Sequence, residues 1–296
     1  MSTTITGAFI CAIAAFTLSF AAPTAHAEGF APTRFSVQVE GQGPDVILVP
    51  GLASSRDTYA AEAAKLESGH RLHLVQIAGF AGEPAGANAQ GEVIAPFVEE
   101  LDHYIKANHL DHPAVIGHSL GGLAGLMLAR RHPEDVGRLM VVDALPFFSV
   151  LFDPNATVAS VTPQATAMRD RVIAQSDAEF AAGQGPAIAR LVLTPDKRPI
   201  VVGWSAASDR SVVARAMFED MTTDLRGEIA QIQTPMTVLY AYDESMGFPE
   251  AAMDGLWHAA YAAAPHVTLT RIDHSYHFIP LDQPDAFDAA VQTFLH

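Results

Sequence analysis

The sequence predicts an α/β protein in which a mostly parallel, twisted sheet is flanked by helices and interrupted by a helical insertion. First, short apolar runs with the composition of buried strands alternate with stretches of helical spacing over most of the chain. Second, this alternation stops between residues 146 and 230, where six prolines separate short helix-like pieces. We therefore predict an α/β core over 33–145 and 231–296 and a helical cap over 146–230.

The predicted strands are short runs rich in Val, Ile and Leu, a composition that suits strands buried on both faces. They lie at 35–40, 46–49, 71–77, 114–116, 138–142, 236–242 and 267–272. Longer stretches predict helices on the core at 56–66, 92–108, 120–131 and 284–295, and in the cap at 165–174 and 212–221. Strands that alternate with helices in this way become parallel neighbours in one sheet.

A short motif after the fourth predicted strand carries the strongest indication of chemistry. Residues 117–121 read Gly-His-Ser-Leu-Gly, directly after the strand and directly before a helix that stops ahead of Pro133. A G-x-S-x-G sequence between a strand and a helix is typical of a nucleophile elbow, a tight turn that holds a serine in a strained conformation. Glycines on either side keep Cβ atoms out of the turn. The motif predicts that Ser119 is a nucleophile.

A serine hydroxyl needs a general base, usually a histidine that a carboxylate holds in one tautomer. Carboxylates follow two predicted strands: Asp143 follows 138–142, and Asp243-Glu244 follows 236–242. The turn after the last strand carries His274 and His277. The chain therefore offers candidates for both partners of Ser119.

With these residues the chain resembles the α/β-hydrolase superfamily, specifically its esterase-like members with a cap. Residues 46–52, Val-Ile-Leu-Val-Pro-Gly-Leu, are similar to the strand and oxyanion loop of that family, and 77–82, Ile-Ala-Gly-Phe-Ala-Gly, to the turn after its next strand. Residues 277–287 match the segment H-F-x-x-x-[DE]-x-P-x-x-F, which carries the catalytic histidine. The resemblance covers nearly everything after residue 33.

The resemblance implies a catalytic triad of Ser119, Asp243 and His277. His277 has the family spacing to the following Phe, Asp and Pro, whereas His274 does not and is expected to be a polar loop residue. Asp243 follows the penultimate strand, the commonest place for the acid in this family. Asp143 stays as an alternative, because it ends the predicted strand 138–142, where some members of the superfamily carry their acid. Glu244, the residue after Asp243, is a second alternative.

The same resemblance implies an oxyanion hole made by the backbone amides of Leu120, after the nucleophile, and Leu52, in the loop after the first core strand. Pro50 stands where the family usually has histidine, before Gly51. Only the backbone amide of Leu52 is needed, so the hole can still form.

The predicted cap begins with a strongly apolar run at 146–152, Pro-Phe-Phe-Ser-Val-Leu-Phe. We predict that Phe147, Phe148 and Trp204 bind an apolar substrate. The alternative is that these side chains only pack the cap onto the core.

These features predict a serine hydrolase that cleaves an ester, or a related acyl bond, of a small to medium apolar molecule through an acyl-enzyme. Lactone, amide, thioester and C–C bond hydrolysis stay open as alternatives on the same scaffold. A protein of another class, which binds an apolar ligand without hydrolysing it, is a further alternative, although such a protein has no need of a general base.

The first 27 residues have no charged side chain, are almost wholly apolar from 5 to 22, and end in Ala-His-Ala. This pattern predicts a secretory signal peptide at 1–27, and therefore a periplasmic or secreted protein; the alternative is a retained membrane anchor. Cys11, the single cysteine, falls inside this segment, so the mature chain has no disulfide and no thiol nucleophile.

The chain has 33 acidic and 17 basic residues, a formal net charge of −16. Such a charge disfavours binding to nucleic acid and to anionic membrane surfaces. The histidines are scattered, with no H-E-x-x-H motif and no ligand spacing, so we predict neither a metal nor another cofactor. The expected partner is a small-molecule acyl substrate.

Overall fold

The computed structural model describes Met1 and residues 30–296. Apart from Met1, the predicted signal peptide lies outside these residues. A seven-stranded sheet forms the centre, in the order β1-β3-β2-β4-β5-β6-β7, and all neighbours are parallel except β1 and β3. The strands are β1 Phe35–Gly41, β2 Asp45–Val49, β3 Arg71–Ile77, β4 Ala114–His118, β5 Arg138–Val142, β6 Met236–Tyr242 and β7 Val267–Asp273.

Ten helices accompany these strands in the described part of the chain. They are α1 Ala60–Leu66, α2 Ile94–Ala107, α3 Leu120–Arg131, α4 Val158–Ala174, α5 Asp177–Ile188, α6 Arg198–Ala206, α7 Arg210–Thr222, α8 Glu250–Tyr261, α9 Ile279–Asp282 and α10 Pro284–Leu295. The order of strands and helices confirms the predicted fold class, a mostly parallel sheet flanked by helices with a helical insertion.

The sheet is covered on both faces, and strand β2 shows why an inner strand is apolar throughout. In β2, Ile47 and Val49 enter one core cluster, whereas the alternate residues Val46 and Leu48 enter the other. All four side chains are fully buried. Strand side chains alternate between faces, so a strand that helices cover on both sides has no polar face.

The helices α4 to α7 lie between β5 and β6, within the stretch predicted as a cap. Side chains and backbone atoms tie this insertion to the core at several places. The Glu219 carboxylate accepts hydrogen bonds from the first amides of the α2 region, Val93 at 2.8 Å and Ile94 at 2.7 Å. The Leu225 amide donates to the Pro146 carbonyl at 2.8 Å. The end of α7 is therefore held against the loop that follows β5.

The structure also contains a core helix that the sequence did not predict. Helix α8 begins after Pro249, and its buried residues Met253, Trp257 and Tyr261 recur at every fourth position. Alanine makes up four of its other nine residues, and alanine contrasts little with the buried positions, so the periodic signal is weak. Among the described residues, no helix is long and apolar enough to cross a membrane.

Candidate active site

Ser119 lies at the sharp turn between β4 and α3, with φ +54° and ψ −123°. A side chain at Gly117 would place its Cβ 2.2 Å from the carbonyl oxygen of Gly121, and one at Gly121 would lie 2.3 Å from the Val49 carbonyl oxygen. Only glycine fits at both positions. The turn therefore has the strand–turn–helix geometry of a nucleophile elbow, including the backbone strain that such sites store.

The imidazole of His277 is held by a carboxylate, and that carboxylate belongs to Asp143. The distance from Asp143 Oδ2 to His277 Nδ1 is 2.6 Å. The other oxygen, Oδ1, accepts a hydrogen bond from the Ala241 amide at 2.9 Å. Asp143 has φ +52°, a left-handed conformation that is uncommon outside glycine. Both carboxylate oxygens are thus engaged, and one fixes the imidazole.

The carboxylate at the His277 imidazole is that of Asp143, so the prediction that Asp243 orients His277 is wrong. The Asp243 carboxylate accepts hydrogen bonds from the amide and the hydroxyl of Ser245, which lower the pKa of Asp243. Its nearest histidine is His274, at 3.6 Å, whose side chain is 84 % exposed. Strand β5 lies between β4 and β6. A carboxylate at the end of β5 is therefore one strand closer to Ser119, and Asp243 is turned into its own loop.

His118, the residue before Ser119, contacts His277 directly. Its Nε2 lies 2.9 Å from the His277 carbonyl oxygen, and the two imidazole rings are 4.7 Å apart. Burial lowers the pKa of His118 to about 3, so this imidazole is neutral. Its neutral form donates from Nε2 to the His277 carbonyl. His118 thereby joins the elbow to the backbone of His277.

The buried His118 predicts a specific acid sensitivity of folding. Its ordinary pKa of 6.5 applies to the unfolded chain, so between pH 6.5 and about 3 unfolding takes up a proton that the folded state does not hold. The free energy of unfolding should fall in this window by up to about 1.4 kcal/mol per pH unit from this group. Urea denaturation at pH 7 and pH 4.5 should show a smaller acid loss in His118→Asn than in the wild type. An equal loss of unfolding free energy in both proteins would show that His118 is not the group that takes up the proton.

Two backbone amides are available beside the elbow. Within residues 30–296, no hydrogen bond engages the amide of Leu52, and Leu120, as the first residue of α3, has no partner within the helix. The loop of Leu52 lies against the elbow, since a Cβ on Gly51 would be 2.9 Å from Ser119 Cβ. The two amides can serve an oxyanion, and the proline before Gly51 leaves both free.

The three predicted substrate-binding residues lie in different surroundings. Phe147 is fully buried in the larger core cluster, and the Arg226 guanidinium covers its ring at 4.6 Å. Its position fits the alternative role of joining cap to core. Phe148 is partly buried and contacts the exposed Phe152 edge to face at 5.2 Å. Trp204 is partly buried in a small apolar cluster that includes Phe278, the residue after His277. Trp204 and Phe148 stay candidates for substrate contacts.

Sequence reasoning missed one group near the site, the carboxyl of Asp220 in α7. Burial raises the pKa of Asp220 to about 7, and the charge of His277 opposes this shift. The sequence did contain an indication of this buried carboxyl, because Asp220 follows the buried residues Val213 and Ala216 on the same face of the helix.

A second cluster of titratable groups lies far from Ser119. Asp102, His132 and Asp135 place one ligand atom each within 4.8 Å of one another. The Lys106 ammonium bridges the two carboxylates, at 2.9 Å from Asp102 and 3.2 Å from Asp135. His132 follows the C-terminal end of α3, so the length of a 12-residue helix, about 18 Å, separates it from Ser119. The lysine occupies the place of a cation, and the cluster is an ion-pair network.

Comparison with known proteins agrees with this geometry. The model of the alpha/beta hydrolase family matches residues 46–290, most of the chain. The chain belongs to the alpha/beta hydrolase family. This confirms the predicted resemblance and the class of enzyme, a hydrolase.

Two relatives of this alpha/beta hydrolase have names that refer to different substrates. The pimeloyl-[acyl-carrier protein] methyl ester esterase of Vibrio atlanticus is 26 % identical over 261 residues, which cover 86 % of this chain and 96 % of the relative. A putative carbamate hydrolase of Variovorax paradoxus is 32 % identical over 114 residues, which cover 38 % of this chain and 42 % of the relative.

Solved structures of low sequence identity share the fold. An esterase from Exiguobacterium antarcticum superposes with a TM-score of 0.73 at 16 % identity, covering 88 % of this chain and 95 % of that one. The enol-lactonase from Burkholderia xenovorans gives 0.70 at 17 % identity, covering 88 % and 96 %.

Proposed function

We propose that this alpha/beta hydrolase is a serine esterase that cleaves a carboxylic ester, or a related acyl bond, of a small to medium apolar substrate. Ser119 attacks the carbonyl carbon, and His277 takes the hydroxyl proton and returns it to the leaving group. Asp143, in place of the predicted Asp243, keeps the imidazole in the productive tautomer. The amides of Leu52 and Leu120 stabilise the oxyanion.

The 2.6 Å hydrogen bond between Asp143 and His277 is the observation that carries this proposal. A protein that only binds a ligand has no need for an imidazole oriented in this way next to a strained serine. The esterase names of the relatives favour esters among the acyl bonds. Within residues 30–296 no hydrogen bond joins the Ser119 hydroxyl to His277; such contacts are often long in free enzymes and shorten when substrate binds.

A fluorophosphonate probe tests the proposal against the alternative of a ligand-binding protein. We expect covalent labelling of the wild type at Ser119, identified by peptide mass spectrometry, together with hydrolysis of p-nitrophenyl butyrate. Labelling requires an activated nucleophile, so a pure binder reacts no faster than its surface serines. Equal labelling of the wild type and Ser119→Ala would remove Ser119 from the mechanism. The values of kcat/KM for an ester, a thioester and an amide of the same acyl group, and for a lactone, then show which bond type the enzyme prefers.

We further propose that the protein is exported and acts on a free small molecule. The uncharged, apolar segment ending in Ala-His-Ala supports removal of residues 1–27. The net charge of −16 is unaffected by this removal and opposes binding to polyanions and anionic lipid surfaces.

Export makes a direct prediction about the mature chain. Protein recovered from the periplasm or medium of a bacterial host should begin at Glu28, as read by N-terminal sequencing or intact mass. Full-length protein recovered with membranes would instead indicate that the segment is retained as an anchor.

A further inference from the structure

The carboxylate of Asp282 joins the cap to the loop that carries His277. Asp282 ends α9 and is only 8 % exposed, and its two oxygens accept three backbone hydrogen bonds. The amides of Leu193 and Thr194, in the cap between α5 and α6, donate at 3.0 Å and 2.9 Å. The amide of Tyr276, the residue before His277, donates at 3.0 Å. One buried carboxylate therefore binds two segments that are distant in sequence.

A second contact joins the same two segments on the other side of His277. The amide of Phe278, the next residue, donates to the Leu191 carbonyl at 3.1 Å. The Phe278 side chain is buried in a small apolar cluster with Val192. The residue before His277 is thus bound to the cap through Asp282, and the residue after it is bound directly.

The cap segment 191–194 is itself held in place by Arg198, at the start of α6. The guanidinium donates from Nε to the Val192 carbonyl at 2.9 Å and from Nη2 to the Leu193 carbonyl at 3.1 Å. Moving this segment away from the core would also leave the buried carboxylate of Asp282 without its cap partners, which is costly. The segment is therefore a fixed support for the loop of His277.

The core holds His277 at its other polar groups. The imidazole binds Asp143, and the carbonyl oxygen accepts from His118. The ring is thus fixed from the side of the sheet, whereas the backbone before and after it is fixed through Asp282 and Leu191. Both sets of contacts are needed to set where the imidazole lies relative to the elbow.

We propose that Asp282 is a positioning residue, which holds the backbone of His277 against the cap segment 191–194 and so sets the distance between the imidazole and Ser119. The inference rests on the proposed role of His277 as general base. Within residues 30–296, the Asp282 carboxylate makes hydrogen bonds only to backbone amides, so it acts through the chain and not on the substrate. Proton transfer depends steeply on distance, and a displacement of about 1 Å costs about 10²-fold in rate.

Asp282→Asn tests the proposal with little change in volume. One carboxylate oxygen becomes an NH₂ group, which cannot accept from an amide, so at least one of the three contacts is lost. We expect kcat for p-nitrophenyl butyrate to fall by up to about 10²-fold. KM should change little, because His277 acts in both formation and hydrolysis of the acyl-enzyme. Asp285→Asn is the matched control: Asp285 is exposed, and within residues 30–296 its carboxylate makes no hydrogen bond or ion pair, so kcat should be unchanged.

The time course of fluorophosphonate labelling separates positioning from partial unfolding. A displaced imidazole activates Ser119 poorly in every molecule, so Asp282→Asn should be labelled slowly but completely, as measured by intact mass. Partial unfolding would instead leave a smaller fraction that is labelled at the wild-type rate. That second result, or an unchanged kcat in folded Asp282→Asn, would overturn the proposal. A wild type that is neither labelled nor active on the ester would refute the proposed function itself.

Arg198→Met tests the contribution of the cap while Asp282 stays in place. This variant removes the two hydrogen bonds that hold the segment 191–194, so we expect a smaller fall in kcat, again with slow but complete labelling. Arg190→Met is the control, because Arg190 is an exposed cap residue whose guanidinium makes no hydrogen bond or ion pair within residues 30–296. Equal kcat in the Arg198 and Arg190 variants would show that the cap does not support His277, and would overturn that part of the proposal.

Discussion

Replacing Ser119 by alanine is expected to lower kcat for p-nitrophenyl butyrate by about 10⁶-fold, as loss of the nucleophile does in a serine-protease triad. The hydroxyl supplies the only oxygen that the elbow presents for covalent attack, and a water molecule in its place lacks the fixed position. Alanine keeps the backbone conformation at φ +54°, because the substitution removes only the hydroxyl. Stopped and steady-state assays at high enzyme concentration measure the loss.

Ser245→Ala is the matched control for this change. Ser245 also lies in a loop at the carboxyl end of the sheet, where its hydroxyl contacts Asp243 and Tyr276. It has no part in the proposed mechanism, so kcat should be unchanged. Thermal unfolding of both variants shows whether they fold. Activity that survives in folded Ser119→Ala would refute acyl-enzyme chemistry at this serine.

Much of the fold follows from composition, because the five inner strands, β2 to β6, are buried on both faces. All seven predicted strands form, each within two residues of its predicted bounds. The short runs of Val, Ile and Leu in the inner strands β2 to β6 have no other stable location than the centre of the protein. Helix α8 was missed because alanine gives little contrast between its buried and exposed faces.

The elbow and the histidine segment could be recognised from sequence since both are local. The turn at Ser119 needs glycines at fixed spacing, and His277 lies in a continuous segment. The acid is different, because Asp143 and Asp243 both follow sheet strands and both are aspartates. The two aspartates differ in the left-handed φ of Asp143 and in the Ser245 contacts of Asp243. Neither property can be predicted from a residue pattern.

The choice of acid leads to the second large effect. Asp143→Asn is expected to lower kcat by about 10⁴-fold, the loss seen when a triad aspartate becomes asparagine. The amide oxygen can still accept from the Ala241 amide, which leaves the amide NH₂ facing His277 Nδ1. Nδ1 must then be the acceptor, so the proton moves to Nε2. An imidazole protonated at Nε2 cannot take the proton from Ser119.

Asp243→Asn supplies the matched comparison, since it makes the same chemical change one strand away. Its carboxylate contacts Ser245 and the exposed His274, and neither reaches the imidazole of His277. We expect kcat to change far less than in Asp143→Asn, with both variants folded by circular dichroism. Labelling by fluorophosphonate should follow the same ranking, because it depends on the same proton transfer. The opposite ranking would return the acid to Asp243, and equal large losses would show that both carboxylates orient the histidine.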